Sequence, residues 1–387
     1  MSRPPFASHP YGRWIDSPVA GWTPGYYLPD PLPRTIALSD EARVHAQAAE
    51  WELARLSGLS DTMADVDVLM RPAALNEALT SSRIEGTQAT LREVMTSREG
   101  EALSDDAEDV LALFRAMVTG HTMLASLPIA GRFITECHRE LLGSRRGSNK
   151  RPGRYRTEPV WIGSAGEGPE DARFIPPHPP HIPALMADWE DYVNRPPTLP
   201  LVVRLALAHY QFETIHPFED GNGRLGRLLV GMQIVLEGVL PWPVITLSRA
   251  IHSSRSHYYN ALQLVHETGN MDIWVTYFAD AVADEVTHGY RTLTTLHQLR
   301  KDMTRDASRH AASVTQLVDV LFRHPILTVA DVVSEARVSQ PTAARALEHA
   351  EGLGWVRSLG HSGRGRRETW WAPQIWSAHT SEDPTVN

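Results

Sequence analysis

A predominantly helical protein, interrupted once by a short β-hairpin and followed by a separate helix-turn-helix unit, is what this sequence predicts. Three observations carry that expectation. Apolar residues recur at helical spacing over 40–125, again over 199–236, and on through Trp274 and Phe278 to about Met303. Residues 150–183 instead carry Pro152, Gly153, Gly163, Gly166, Gly168 and the run Pro176, Pro177, His178, Pro179, Pro180, which no helix tolerates. From about 311 the chain reads helix, turn, helix, and then a basic, glycine-rich stretch.

The length of 387 residues, with 42% hydrophobic and 21% charged residues, suits two or three folded units. The first forty residues, with Trp22, Tyr26, Tyr27, Pro29, Pro31 and Pro33, are expected to pack as an arm without regular structure. Helices begin after Ser39, with breaks expected near Gly58, Pro72 and Gly100. Val160, Trp161 and Ile162 suit a short strand in a hairpin or flap. Val202, Leu205, Ala208 and Phe212 mark one face of a helix over 199–212, and a second helix spans 222–236 until Gly238 and Pro241 end it. The expected divisions are 1–110 for the arm and first helices, 111–303 for a central core, 311–376 for the C-terminal unit and 377–387 for a disordered tail.

Composition narrows the function. A net charge of −9 repels a phosphate backbone unless a local patch reverses the sign. The single cysteine, Cys137, excludes an internal disulfide and a Cys-based zinc site, which suits a reducing cytoplasm. With no apolar run of about 18 residues, no membrane span is expected and the chain reads as cytoplasmic.

The chemistry is concentrated in His216, Pro217, Phe218, Glu219, Asp220, Gly221, Asn222, Gly223, Arg224, Leu225, Gly226 and Arg227. A helix opening at Asn222 presents unpaired N–H groups and a positive dipole end, and Gly221 and Gly223 let an anion approach the backbone. Arg224 and Arg227, three apart on one helical face, offer two guanidinium forks and so imply more than one phosphate. Asp220 is a hard ligand suited to Mg²⁺ shared with phosphate oxygens, and His216 is a general base with an ordinary pKa near neutrality. The same residues satisfy GxGxxG, but a dinucleotide fold needs a strand before the first glycine, and here a helix precedes it. No GxxxxGK[ST] phosphate loop occurs.

Taken together, these twelve residues resemble the signature HxFx[DE]GNGRxxR of the Fic family at every fixed position. The resemblance extends over about 30–300 and includes His138 to Leu142 (HRELL), Pro152 to Arg156 (PGRYR), and Tyr258 and Tyr259 followed by Trp274 and Phe278. It implies an all-α Fic core with a β-hairpin flap, and a protein adenylyltransferase that moves AMP from ATP to a Ser, Thr or Tyr hydroxyl and releases pyrophosphate. Under it His216 is the base and Asp220 binds Mg²⁺. Gly221, Asn222 and Gly223 hold the α phosphate, Arg224 the β phosphate and Arg227 the γ phosphate, while Phe218 anchors the core.

Upstream, Ser81 to Gly86 matches the family's inhibitory pattern [ST]xxxE[GN]. By that resemblance Glu85 pairs with Arg227 in place of the γ phosphate and autoinhibits transfer. In some relatives this acid aligns water for removal of AMP, so de-AMPylation stays open as the direction. Tyr259 is a candidate adenine contact, and the flap at Pro159 to Gly163 would pair with an extended target segment. His178 and His181 flank two prolines and are read as part of the flap rather than as a metal pair.

The segment 311–376 has the element order of a winged helix-turn-helix, with Arg364, Arg366 and Arg367 in its wing. DNA contact through that wing and docking of protein, including a homodimer, both stay open, because the recognition helix places Arg345 beside Glu348 and Glu351. A DNA-binding regulator whose core only senses nucleotide is the alternative to an enzyme. The base and metal ligand, which a sensor does not need, separate the two readings.

Overall fold

The structure, a computed structural model, describes residues 9–16, 24–63, 66–97, 103–144, 146–163, 166, 168–362 and 367–385. In chain order its elements begin with β1 (Gly12–Ile15), β2 (Tyr26–Pro29), α1 (Asp40–Asp61), α2 (Val66–Ile84), α3 (Leu91–Thr96) and α4 (Asp105–Leu124). There follow α5 (Gly131–Leu141), α6 (Ile182–Asn194), α7 (Leu201–Ile215), α8 (Asn222–Leu236), α9 (Ser248–Ser253), α10 (Arg255–Thr268) and α11 (Met271–Ala307). The chain closes with α12 (Ala312–Arg323), β3 (Ile326–Thr328), α13 (Val329–Ala336), α14 (Gln340–Gly352), β4 (Arg357–Ser362), β5 (Arg367–Trp371) and α15 (Pro373–His379). The fold is helical with small sheets, as expected, and two compact units divide it: 1–57 with 112–286, and 58–111 with 287–387.

In the first unit α7 is the centre. It buries Val202, Leu205, Ala206, Ala208 and Phe212 on successive turns, and a helix apolar all round must be enclosed. Trp189 and Trp274 donate their indole N–H groups to the carbonyls of Ala208 and Ala206, each at 2.7 Å, so two large rings pack against this helix with their polar edges satisfied. α6 and α8 flank α7, and α5 lies on α8. Gly238, at φ +71°, ends α8 in the left-handed turn expected of it.

The N-terminal arm differs from expectation: β1 and β2 form an antiparallel pair, Gly12 opposite Pro29 and Ile15 opposite Tyr26. Each strand has only four residues, too few for an alternating pattern to stand out among prolines. Among the described residues the flap is a single antiparallel bridge between Ile162 and Phe174.

In the second unit α2 packs on α3, α12 and α15. It runs through Pro72, where a break was expected, because Val68, Leu69, Ala74, Leu75, Ala78 and Leu79 bury one continuous stripe across it. α1 likewise continues past Gly58 to Asp61. Around Gly100, residues 98–102 lie outside the described residues. Thr328 and Asp331 close a reciprocal capping box on α13, and Ser339 caps α14 ahead of Pro341. The three strands pair antiparallel in the order β3, β5, β4. Arg364 and Arg366 lie outside the described residues.

The tail expected to be disordered from 377 is helical to His379 and tied down beyond it. Buried Trp376 donates its indole N–H to the carbonyl of Glu382 at 2.6 Å, and Glu382 in turn pairs with Arg83 at 2.6 Å and accepts from the Leu91 amide at 3.2 Å. Among the described residues no helix is long and apolar enough to cross a membrane.

Candidate active site

α7 ends on His216, which caps it in the left-handed region at φ +48°, ψ +62°. That conformation costs a residue with a Cβ roughly 1–2 kcal/mol, so something must hold it. Arg156 does. This 2% exposed guanidinium donates from Nε to the His216 carbonyl at 2.8 Å and from its Nη2 to the carbonyls of Pro177 at 2.6 Å and Ile215 at 3.3 Å. Its own amide donates to the Pro217 carbonyl at 2.9 Å. The last carbonyls of α7, the negative end of the helix, thus face a cation, and burial lowers the pKa of Arg156 to about 10.

Beyond Pro217 the loop closes on itself. Phe218 is fully buried, its amide donates to Asn222 Oδ1 at 2.9 Å, and Asn222 Nδ2 donates back to the Phe218 carbonyl at 2.9 Å. The Asn222 side chain is therefore spent on bracing the loop, and only its backbone N–H faces the helix start. Gly221 begins α8 at φ +79°, where no side chain caps the first N–H groups. A Cβ there would meet Leu141 Cδ2 at 3.2 Å. The loop is also held from α5: His138 Nδ1 accepts from the Gly153 amide at 2.8 Å, so Nε2 carries the proton and donates to the Asp220 carbonyl at 3.0 Å. The ring lies on Phe218 at 3.7 Å and 15°, and burial lowers its pKa to about 4, keeping it neutral.

Arg224 is 8% exposed and Arg227 2%. Among the described residues Arg224 Nε has no partner, and Asp220 Oδ1 is 3.6 Å from its Nη2. A buried cation with an unmatched donor beside an uncapped helix start is a site prepared for an anion. Asp220, with its side chain 46% exposed, accepts its neighbour Gly221's amide at 2.6 Å. No described group of three or more His, Cys, Asp or Glu could hold a metal by itself. One carboxylate fits Mg²⁺ only when phosphate oxygens complete the shell.

The remaining expected residues lie on other elements. Glu85 is exposed in the turn that ends α2, its amide donating to the Ser82 carbonyl at 3.0 Å, and it belongs to the second compact unit while Arg227 belongs to the first. Tyr259 is half-buried on α10, with the Arg173 guanidinium 5.8 Å from its ring centre. His178 stacks on Tyr26 at 4.1 Å and His181 Nε2 lies 3.0 Å from the Tyr26 hydroxyl, so both serve packing of the arm. The sequence assigns Arg156 and His138 no role. Their only local signal was a charge and an imidazole in segments that otherwise read as loop and helix.

Residues 128–234 match the model of the Fic/DOC family and 44–122 that of the Fic/DOC family N-terminal region. Curated relatives include protein adenylyltransferase Fic of Drosophila willistoni, 29% identical over 62% of this chain and 46% of its own length. The Drosophila melanogaster protein of the same name is 31% identical over 51% of this chain and 38% of its own length. The chain thus spans less than half of the length of these relatives. A Fic family protein of Desulfovibrio desulfuricans G20 superposes with a TM-score of 0.55 at 20% identity, covering 90% of this chain and 98% of that one. A Fic domain containing signaling protein of Bacteroides thetaiotaomicron gives 0.50 at 23%, covering 63% and 97%. Through its residues 44–122 and 128–234, this chain is thus similar to the Fic/DOC family.

Proposed function

We propose that this chain transfers AMP from ATP to a Ser, Thr or Tyr hydroxyl of a protein, itself included, with release of pyrophosphate. The observation that carries the reading is the start of α8: an uncapped helix end, Gly221 at positive φ, and buried Arg224 with an unmatched Nε. These follow directly on a histidine held in a left-handed turn.

In this reading the backbone N–H groups of Asn222 and Gly223 hold the α phosphate, while Arg224 and Arg227 hold the β and γ phosphates. The hydroxyl oxygen attacks the α phosphorus as its proton passes to the His216 imidazole. The bond from that phosphorus to the α,β-bridging oxygen breaks, and its electron pair leaves on pyrophosphate. Mg²⁺, bound through Asp220 and phosphate oxygens, would offset charge on the leaving group. The family relationship supports the reading, since the relatives are named for adenylyl transfer.

Glu85 is the proposed brake, its carboxylate taking the place of the γ phosphate at Arg227. Hydrolytic removal of AMP, in which water aligned by Glu85 attacks the phosphorus and the protein hydroxyl leaves, is the alternative activity on the same residues. Incubation with α-labelled ATP tests both: label should accumulate on the Glu85→Gly chain and vanish in Glu85→Gly/His216→Ala. No label on either would refute the transferase. The lone buried thiol of Cys137 suits a cytoplasmic setting.

The order α12, β3, α13, α14, β4, β5 supports a winged helix-turn-helix at the C-terminus. Its α14 exposes Arg345 together with Glu348 and Glu351, a mixed face that favours a protein partner over a phosphate backbone. Salt-sensitive binding of duplex DNA would reverse that choice.

A further inference from the structure

The N-terminal hairpin is bonded to the flap. The Tyr27 amide donates to the Ile175 carbonyl at 2.9 Å, and the adjacent Phe174 exchanges both main-chain bonds with Ile162, at 2.8 and 3.0 Å. Main-chain pairing therefore runs from β1 to β2, to the returning leg of the flap, to its outer leg. Side chains reinforce the order. Tyr26, Ala172 and Ile175 form a buried cluster against which Trp14, Ile15 and Leu28 pack. The Tyr26 ring stacks on His178 at 4.1 Å and its hydroxyl lies 3.0 Å from His181 Nε2, just beyond the returning leg. Arg173, within that leg, donates to Asn260 Oδ1 on α10 at 2.7 Å.

A two-stranded ribbon closed by one bridge is at best marginal in water. The flap consequently draws its position from what grips its returning leg, while no described strand pairs with its outer leg beyond Ile162. We propose that the β1–β2 hairpin is a working part of the protein-substrate site and that Tyr26 is its positioning residue. By fixing 172–175 it fixes the outer leg at 159–163, whose main-chain edge receives an extended, hydroxyl-bearing segment of the target. This rests on the transferase reading above.

The test uses the full chain in the Glu85→Gly background, with the His216→Ala chain as protein acceptor. In Tyr26→Ala, amide exchange over 159–163 and 172–176 should quicken at least about tenfold, equivalent to about 1.4 kcal/mol of opening. The KM for the acceptor should rise by a similar factor while binding of a fluorescent ATP analogue stays within about threefold. Tyr26→Phe, which loses only the bond to His181, should move both readouts by about threefold, so the test survives if the alanine variant does not fold. Unchanged exchange overturns the brace, and faster exchange with an unchanged KM overturns its part in target docking. Failure of the Glu85→Gly parent to transfer at all overturns the transferase reading itself, which the exchange result does not depend on.

Discussion

Arg156 reaches from the loop after α5 to the carbonyl of His216, 2.8 Å away, and fixes the one left-handed residue other than glycine in the candidate catalytic turn. Its other donors serve the carbonyls of Ile215, Pro177 and Glu158, with no carboxylate among these partners. Replacement by Lys offers a single ammonium where a planar fork spans several oxygens. We expect Arg156→Lys to lower the transfer rate by about 100-fold while ATP affinity falls less than about fivefold, since the helix start that binds phosphate is untouched. Parallel measurement of nucleotide binding and of label transfer checks this, and an equal loss in both would refute it.

Gly221→Ala should weaken nucleotide binding and stability together. The residue sits at φ +79°, and an added Cβ meets Leu141 at 3.2 Å and His138 Nε2 at 3.7 Å. The expected cost is about 1–2 kcal/mol in urea unfolding, from the left-handed backbone with some crowding. A stable variant with parent affinity would show that the N–H groups of α8 do not face the ligand.

Acid should destabilise the protein well before its carboxylates titrate. His209 and His266 are buried, and burial lowers the pKa of each from 6.5 to about 3, while His379 falls to about 4. The unfolded chain takes up these protons near pH 6.5, whereas the folded chain refuses them until about pH 3 to 4. Their stability contribution is therefore complete above pH 6.5 and is lost as pH falls toward 3. Urea midpoints should drop steadily from pH 7 to pH 4.5, and His266→Gln, which keeps polarity but cannot titrate, should flatten the slope.

Glu382→Ala should loosen the turn that follows α2. The carboxylate holds Arg83 at 2.6 Å and the Leu91 amide at 3.2 Å, and Arg83 also donates to the Ala89 carbonyl at 3.0 Å. We expect amide exchange over 83–92 to rise about tenfold with little change in Tm, because the pair is local and partly exposed. Protection equal to that of the parent would show that the tail does not secure this segment.

The residues 216–227 declared the candidate site in the sequence because its chemistry is local: a helix start, two glycines and two arginines three apart need only their own spacing to make an anion site. The helices of α7 and α8 were legible for the same reason, since periodicity of 3.6 is written in neighbouring residues. Tertiary structure decided what spacing cannot express. It turned the Asn222 amide inward onto Phe218 and set Arg156 and His138, both distant in sequence, against the loop. It carried α2 through Pro72, made paired strands of the arm, and fastened Glu382 to Arg83. Each of these depends on a partner brought near only by folding, where a buried donor or acceptor must find its match and local propensity gives no hint of which one it finds.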